Sequence, residues 1–164
     1  MRLDPIAEAR RQWDAHGWGD AADGMAAVTS VMRAQQIMQA RVDEVLRPFG
    51  LTFARYELLM LLHFSSHGSL PVKKASERLQ VHPTSVTNAV DRLEAARLVL
   101  RRPHATDGRA ILVEVTAAGR HLALEATAEL NRRVFAEPGL APGKVRTLVG
   151  TLRELRQRAG DFGG

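Results

Sequence analysis

Five polar residues between positions 84 and 92 are spaced so that all of them fall on one arc of a helix. Apolar residues recur at helical spacing on the opposite side, at Val86, Ala89, Val90 and Leu93. The polar arc carries only side chains that donate hydrogen bonds, namely Thr84, Ser85, Thr87, Asn88 and Arg92. Donors on one face of a helix can read base edges in DNA. An ordinary solvated helix face is the alternative interpretation for this stretch taken alone.

A shorter helical pattern comes just before this helix. Val72, Ala75 and Leu79 form one apolar face, and residues 80–82 alone separate that face from Pro83. Proline lacks an N–H and has a φ near the helical value, so it suits the first turn of the next helix. Two helices joined by so tight a turn predict a helix-turn-helix, which places its second helix in the major groove of DNA.

A β-hairpin pattern follows the second helix. The apolar period changes to 2 over residues 111–116, and residues 98–102 supply an antiparallel partner. The loop between them turns at Asp107-Gly108 and carries Arg109 at its tip. We expect Arg109 to enter a narrow minor groove while Asp107 holds its guanidinium by a bidentate contact. A solvent-exposed ion pair in a turn, of little energetic value, is the alternative.

Positive charge is concentrated on this unit. The whole chain has a net charge of +5, and residues 71–102 hold seven cations against three anions. Residues 1–24 hold three arginines against five acids, so that segment is not expected to be a DNA-binding arm. The remaining predicted DNA contacts lie on the basic unit and are Lys73, Lys74, Pro83, Arg101 and Arg102.

Resemblance to the MarR-type transcriptional regulators is carried by the segment VKKASERLQVHPTSVTNAVDRLEAARLVLRRPHATDGRAILVEVTAAG. This segment contains a helix-turn-helix, a D-x-R wing (Asp107 and Arg109) and a V-x-V-x-T step into the next helix. Flanking helices extend the similarity over residues 25–158. The family usually has glycine where this chain has Arg97, so we expect the end of that helix to differ here.

The resemblance implies control by a small-molecule effector. Its pocket would lie where the first, second and fifth helices of the family fold meet the DNA-binding lobe. The residues expected there are Met32, Gln36, Tyr56, Met60 and His63. Core packing explains each of these residues equally well.

Three long amphipathic helices lie outside the DNA-binding unit. The first carries an apolar stripe from Val28 to Phe49, the next begins at Thr116, and the last begins at Pro142. A further helix, capped by Thr52, is apolar around most of its circumference and is predicted to be central. The surplus apolar surface argues for self-association, with an intrachain bundle as the alternative. In the MarR-type family these helices interlock as a homodimer, and a two-fold dimer would present two recognition helices about 34 Å apart to a pseudo-palindromic operator.

The predicted fold class is mainly α with a small β-hairpin wing (α+β), a winged helix-turn-helix with long N- and C-terminal dimerisation helices. Residues 1–24 are predicted as an N-terminal extension, residues 25–50 and 117–160 as the dimerisation region, and residues 51–116 as the DNA-binding region. In the extension, Asp4 caps a short helix that ends at Gly17, and residues 20–24 form a linker. Trp13 and Trp18 fit a packing plug better than part of an effector pocket.

Other kinds of chemistry find little support. With 164 residues, 45% hydrophobic and 25% charged, the chain fits one soluble domain, and without a signal-peptide core we predict a cytoplasmic location. The chain has no cysteine, which excludes disulfides, thiolate metal sites and thiol-based oxidant sensing. The six histidines lack metal-ligand spacing, and no nucleophile elbow or phosphate-binding loop is present. We therefore expect no enzyme activity, no cofactor and no metal.

The sequence thus predicts a sequence-specific, DNA-binding transcriptional regulator, a repressor that binds its operator as a homodimer and is released by an effector. Two alternatives stay open: an architectural DNA-binding protein with little sequence preference, and a helical protein-interaction module. Salt-dependent binding to DNA separates the second alternative from the other two functions.

Overall fold

The computed structural model describes residues 3–163 and confirms a mainly helical protein with a small β-sheet. The elements follow in the order α1 (Pro5–Ala15), α2 (Gly19–Leu46), α3 (Phe53–Phe64), β1 (Ser69–Pro71), α4 (Val72–Leu79), α5 (Pro83–Ala95), β2 (Val99–Pro103), β3 (Ile111–Val115), α6 (Ala117–Leu130) and α7 (Pro142–Arg158). A 3₁₀ turn, Arg47–Phe49, follows α2, and a π-helical turn, Asn131–Phe135, follows α6. The chain divides into two compact units, residues 1–44 and 45–164.

The first unit begins with the predicted short helix. The Asp4 carboxylate accepts a hydrogen bond from the backbone N–H of Ile6 at 3.0 Å, and Gly17 has a φ of 79° at the end of the helix. The rings of Trp13 and Trp18 make an edge-to-face contact at 5.4 Å, but Trp18 remains 54% exposed. The His16 ring also stacks on Trp18 at 5.4 Å, so the two indoles and this imidazole form one aromatic group.

The predicted linker at residues 20–24 is wrong, because these residues form the first turns of α2. Asp20 lies in the first turn, where its negative charge stabilises the helix by interacting with the helix dipole. Ala22 is buried. A glycine inside a helix costs only about 1 kcal/mol relative to alanine. A helix of 28 residues tolerates Gly24 at that cost.

The second unit is built around α3. The Thr52 hydroxyl caps this helix by accepting the backbone N–H of Arg55 at 3.3 Å. Its buried residues are Tyr56, Leu58, Leu59 and Leu62. Helices α4, α5 and α6 and the sheet all pack against α3. This arrangement confirms that the helix is central.

The sheet has the strand order β1-β3-β2, with both pairs antiparallel. Strands β2 and β3 form the predicted hairpin, in which Val99 lies opposite Val115 and both are buried. Strand β1 was not predicted. It has only three residues and ends in Pro71, and so short an edge strand has no detectable alternation.

Helix α6 begins in direct contact with the hairpin. The Thr116 hydroxyl accepts the backbone N–H of Gly119 at 3.0 Å, which confirms the predicted cap. A Cβ atom at Gly119 would lie 2.0 Å from the carbonyl oxygen of Leu98. Only glycine therefore allows the helix to approach the start of the hairpin this closely.

The end of α5 corrects the expectation for Arg97. This residue adopts the left-handed conformation with a φ of 60°, as glycine would. The N–H of Leu98 donates to the carbonyl of Leu93 at 2.9 Å, and that of Arg97 donates to Glu94 at 2.8 Å. These two bonds form a Schellman motif. The geometry of the helix end is therefore kept despite the arginine.

No helix within residues 3–163 combines the length and apolar character that a membrane crossing requires.

Candidate nucleic-acid interface

The turn between α4 and α5 is fixed by side chains at both of its ends. The buried Ser76 hydroxyl donates to the carbonyl of Val81 at 2.6 Å, and Gln80 takes a left-handed φ of 54°. The His82 ring accepts the backbone N–H of Thr84 at its Nδ1 atom, at 3.2 Å, and Pro83 takes the first helical position. These contacts set the direction in which α5 leaves the turn.

The two faces of α5 divide as the sequence predicted. The buried residues are Val86, Ala89, Val90 and Leu93. The exposed residues include Thr84, Ser85, Thr87, Asn88 and Arg92. The Thr87 hydroxyl donates to the carbonyl of Pro83 at 3.1 Å. Within residues 3–163, the side chains of Thr84, Ser85 and Asn88 make no hydrogen bond, so their donors are free for another molecule.

A cleft that is open to solvent lies between α4, α5 and the wing, which is the hairpin of β2 and β3 with its connecting loop. Four of the predicted DNA-binding residues line it: Lys73, Thr87, Arg101 and Arg109. They come from α4, α5, β2 and the loop, so only the fold brings them together. Asn88 and Arg92 border a separate depression on α5, together with Asp91 and Ala95.

At the base of the wing, the cations are paired with carboxylates. The Arg101 guanidinium forms ion pairs with Asp91 and Glu94 of α5, and its backbone N–H donates to Glu94 at 3.1 Å. Hydrogen bonding to Asp91, with a further bond to Glu94, raises the pKa of Arg101 against the opposing effect of burial. Arg102 pairs with Glu114 across the hairpin at 2.5 Å.

At the tip of the wing, Asp107 contacts the backbone and not the guanidinium. Its carboxylate accepts the backbone N–H of Arg109 at 3.1 Å, and the expected bidentate contact is not formed. A carboxylate two residues before an N–H closes a local turn readily, which explains the difference. His104 accepts the N–H of Asp107 at 3.2 Å, a contact that the sequence analysis missed. The Arg109 side chain is exposed and has no ion pair among the described residues.

Comparison with known proteins decides the family. The model of the MarR family matches residues 49–110. Sco5413 of Streptomyces coelicolor, a MarR family transcriptional regulator, is 48% identical, covers 87% of this chain and 99% of its own, and superposes with a TM-score of 0.78. The chain belongs to the MarR family.

Two further relatives are similar to the chain in different respects, one in sequence over half of its length and the other in fold. The HTH-type transcriptional repressor MdtR of Bacillus subtilis is 36% identical over 51% of this chain, and the match spans 53% of the repressor's length. A point mutant of MarR from Escherichia coli, solved with operator DNA, is 20% identical over 82% of this chain and 96% of its own, with a TM-score of 0.74. This likeness shows that the fold is shared.

The residues expected to contact an effector in this MarR protein are divided between the two compact units. Tyr56 and Met60 line a cavity in the second unit. His63 is engaged elsewhere, because its Nδ1 atom lies 2.8 Å from the Arg120 guanidinium and accepts its hydrogen bond. Met32 and Gln36 lie on α2 in the first unit, and Met32 is 64% exposed.

The Tyr56–Met60 cavity also contains residues that the sequence analysis missed. Phe53 and Glu57 come from the same helix, while Thr127 and Phe135 come from α6 and the turn after it. The Tyr56 hydroxyl lies 2.9 Å from that of Thr127. Helical spacing on α3 was a signal for Phe53 and Glu57, but nothing in the sequence indicates that Phe135 lies beside them.

Clusters of three or more histidine, aspartate or glutamate side chains able to hold a metal ion do not occur among residues 3–163.

Proposed function

We propose that this MarR-family regulator is a repressor that binds a pseudo-palindromic operator as a homodimer and is released by a small-molecule effector. The observation that carries the proposal is the cleft between α5 and the wing, where the residues predicted to bind DNA converge from separate elements. The exposed donors of α5 lie on the surface beside it. A repressor of this kind blocks transcription by occupying its operator.

The DNA contacts in this proposal fall into three groups. Thr84, Ser85 and Asn88 read base edges in the major groove, since their donors are exposed and have no partner among the described residues. Arg109 enters the minor groove. Three further exposed cations of the unit, Lys73, Lys74 and Arg92, bind phosphates. The MarR mutant solved with operator DNA shares this fold, which supports DNA binding by a protein of this fold but assigns no individual contact.

Self-association is supported by apolar side chains that remain exposed on the helices outside the DNA-binding region. On α2, Val31 is 47%, Met32 64% and Ile37 51% exposed. On α7, Val149 is 60% and Leu155 61% exposed. Exposed rows of this kind favour burial in a two-fold interface. We therefore assign residues 25–50 and 117–160 to dimerisation and residues 51–116 to DNA binding.

The function is tested by selecting bound fragments from genomic DNA and measuring operator affinity against random duplex at fixed salt. A repressor should prefer its operator by about a thousandfold or more, whereas an architectural protein should not. Ser85→Ala and Asn88→Ala should each lower discrimination by about 1–3 kcal/mol at one position per half-site. Ser66→Ala, at an exposed serine outside both the proposed DNA contacts and the dimerisation region, serves as the matched control. Equal losses on all sequences would assign these side chains to phosphates.

The dimer is tested by placing a charge on the apolar row of α7. Leu155→Asp should convert the dimer to a monomer in sedimentation, because the side chain is exposed within the chain and its change does not disturb the core. Gly150→Asp adds the same charge on the opposite side of α7, where an added Cβ atom would meet no other atom within 4 Å, and should leave the dimer intact. A dimer of unchanged affinity with Leu155→Asp would contradict the proposed interface.

A further inference from the structure

An aromatic cavity lies between α3, α4, α6 and the π-helical turn. It holds about 780 Å³ of space that is open to solvent. Phe53, Tyr56, Phe64 and Phe135 line it, which are four of the six phenylalanine and tyrosine residues in the chain. Phe64 is 75% and Phe135 48% exposed, so these two rings leave apolar surface open to solvent. Concave, largely apolar sites with few polar groups are typical of ligand pockets.

Glu57 is the one charged residue in the lining. Its side chain makes no ion pair or hydrogen bond within residues 3–163, and burial raises the pKa of its carboxyl group. A carboxylate without a partner in apolar surroundings is unfavourable, and a cation beside it would remove most of that cost. The cavity thus offers one negative charge surrounded by aromatic rings.

We propose that this cavity binds an amphipathic organic cation, with Glu57 as its counter-ion and the aromatic rings around its apolar groups. Aromatic faces attract cations, and the stacked rings of Phe53 and Tyr56, 6.1 Å apart, lie on the first turn of α3, directly before Glu57. Anionic ligands fit the site poorly, because they would lie against the Glu57 carboxylate. This inference rests on the proposed release by an effector and specifies the chemical class of that effector.

The position of Glu57 links the cavity to the recognition helix. Glu57 and Leu79 also line a smaller cavity that reaches Ser85 and Val86 in the first turns of α5. Ser85 belongs to the face proposed to read base edges. A cation bound at Glu57 therefore lies close to the first turn of α5. A shift of Glu57 on binding can move Ser85, and with it a side chain that is proposed to contact DNA.

The ligand class is tested with two ions of the same shape and opposite charge, tetraphenylphosphonium and tetraphenylborate. Calorimetry on the full chain should show saturable phosphonium binding at one site per subunit, with an affinity at least about tenfold above that for the borate. The net charge of +5 would favour the borate if binding were only a general attraction to the protein. Equal affinities, or a preference for the borate, would overturn the proposal.

Glu57→Gln tests the counter-ion while keeping the shape of the side chain. Phosphonium affinity should fall about tenfold or more, and borate affinity should not fall. Glu77→Gln makes the same charge change at an exposed position on α4 and should alter neither affinity. Parent-like phosphonium binding by Glu57→Gln would overturn the role of this carboxylate. Circular dichroism checks that both variants are folded.

Phe64→Ala provides a second variant that does not depend on Glu57. This side chain is 75% exposed and lies outside the region assigned to dimerisation, so it can be shortened without opening the core. Phosphonium affinity should fall while sedimentation shows an unchanged dimer. A monomeric Phe64→Ala protein would show that a second copy of the chain covers the cavity, which would overturn the proposal.

Operator affinity measured with and without the phosphonium separates this inference from the proposed function. Loss of operator binding on addition of the cation, absent in Glu57→Gln, supports both. Selective phosphonium binding without loss of operator binding supports the ligand class and contradicts release by that class of effector. Operator binding that is intact while no phosphonium binds would overturn the cation site and leave the repressor assignment standing.

Discussion

The base and the tip of the wing each carry an arginine, but within residues 3–163 the arginine at the base is paired with carboxylates and the one at the tip is not. At the base, Arg101 is 26% exposed and holds two carboxylates of α5. At the tip, Arg109 is exposed and has no ion pair among the described residues. A paired arginine stiffens the protein, whereas an unpaired one can release counter-ions when it meets a phosphate backbone. Position in the hairpin, more than residue type, therefore decides which arginine is available to DNA.

The difference follows from the register of the hairpin. Arg101 lies opposite Val113 on the strand next to α5, where Asp91 and Glu94 are spaced three apart on the facing side of that helix. Arg109 lies beyond the last strand pair, Pro103 with Ile111, and the helix residues that line the cleft with it, among them Lys73 and Thr87, carry no negative charge. The wing is thus fixed to α5 at its base, whereas at its tip the guanidinium of Arg109 is available to a ligand.

The largest expected effect is at the tip. Arg109→Ala should weaken operator binding by about 1–3 kcal/mol, because it removes a groove contact, while the thermal unfolding midpoint stays unchanged. Arg109→Lys keeps the charge without the planar guanidinium and should restore binding only in part. Titration at fixed salt measures both variants. Parent-like binding by Arg109→Ala would remove the tip from the DNA interface.

At the base, the main effect should be on stability. Arg101→Ala should lower the free energy of unfolding by about 1–2 kcal/mol, since it removes hydrogen bonds between charged groups that are partly buried. Denaturant titration measures this loss, and Arg102→Ala, with an exposed pair, is the control that should change little. Reduced operator affinity at unchanged stability would instead make Arg101 a direct DNA contact.

Asp107 should have a smaller effect that depends on Arg109. Asp107→Ala removes the acceptor for the Arg109 backbone N–H and should weaken operator binding by about 0.5–1 kcal/mol through a less ordered tip. With Arg109→Ala already present, the second substitution should cost little more, so a double-mutant cycle should show non-additive losses. Additive losses would mean that Asp107 acts independently of Arg109.

The smallest expected effect is at the end of α5, close to the base of the wing. Arg97→Gly should stabilise the protein by about 0.5 kcal/mol, because glycine adopts the left-handed conformation without the steric cost that arginine bears. Operator affinity should stay the same if the residue only ends the helix. A fall in affinity together with a rise in stability would add Arg97 to the phosphate contacts.

Local patterns in the sequence were sufficient to predict most of the helices and strands. Helical spacing and the caps Asp4, Thr52 and Thr116 predicted helices that the structure contains, because capping and amphipathic burial act within one or two turns. The two-residue alternation likewise predicted the hairpin. The helical periodicity also predicted which face of α5 is buried. It therefore predicted that the donors proposed to read DNA lie on the exposed face.

The tertiary structure decided which residues become partners. The pairing of Arg101 with Asp91, the contact of Gly119 with Leu98 and the placement of Phe135 near Glu57 join separate elements, and no local period encodes such distances. The role of Asp107 changed for a related reason: a carboxylate binds whichever donor the folded loop brings within reach. The sequence alone determined which side of α5 is buried, since that burial follows from residue type and spacing. Ion pairs and cavities depend instead on how the elements pack, and packing is a property of the whole chain.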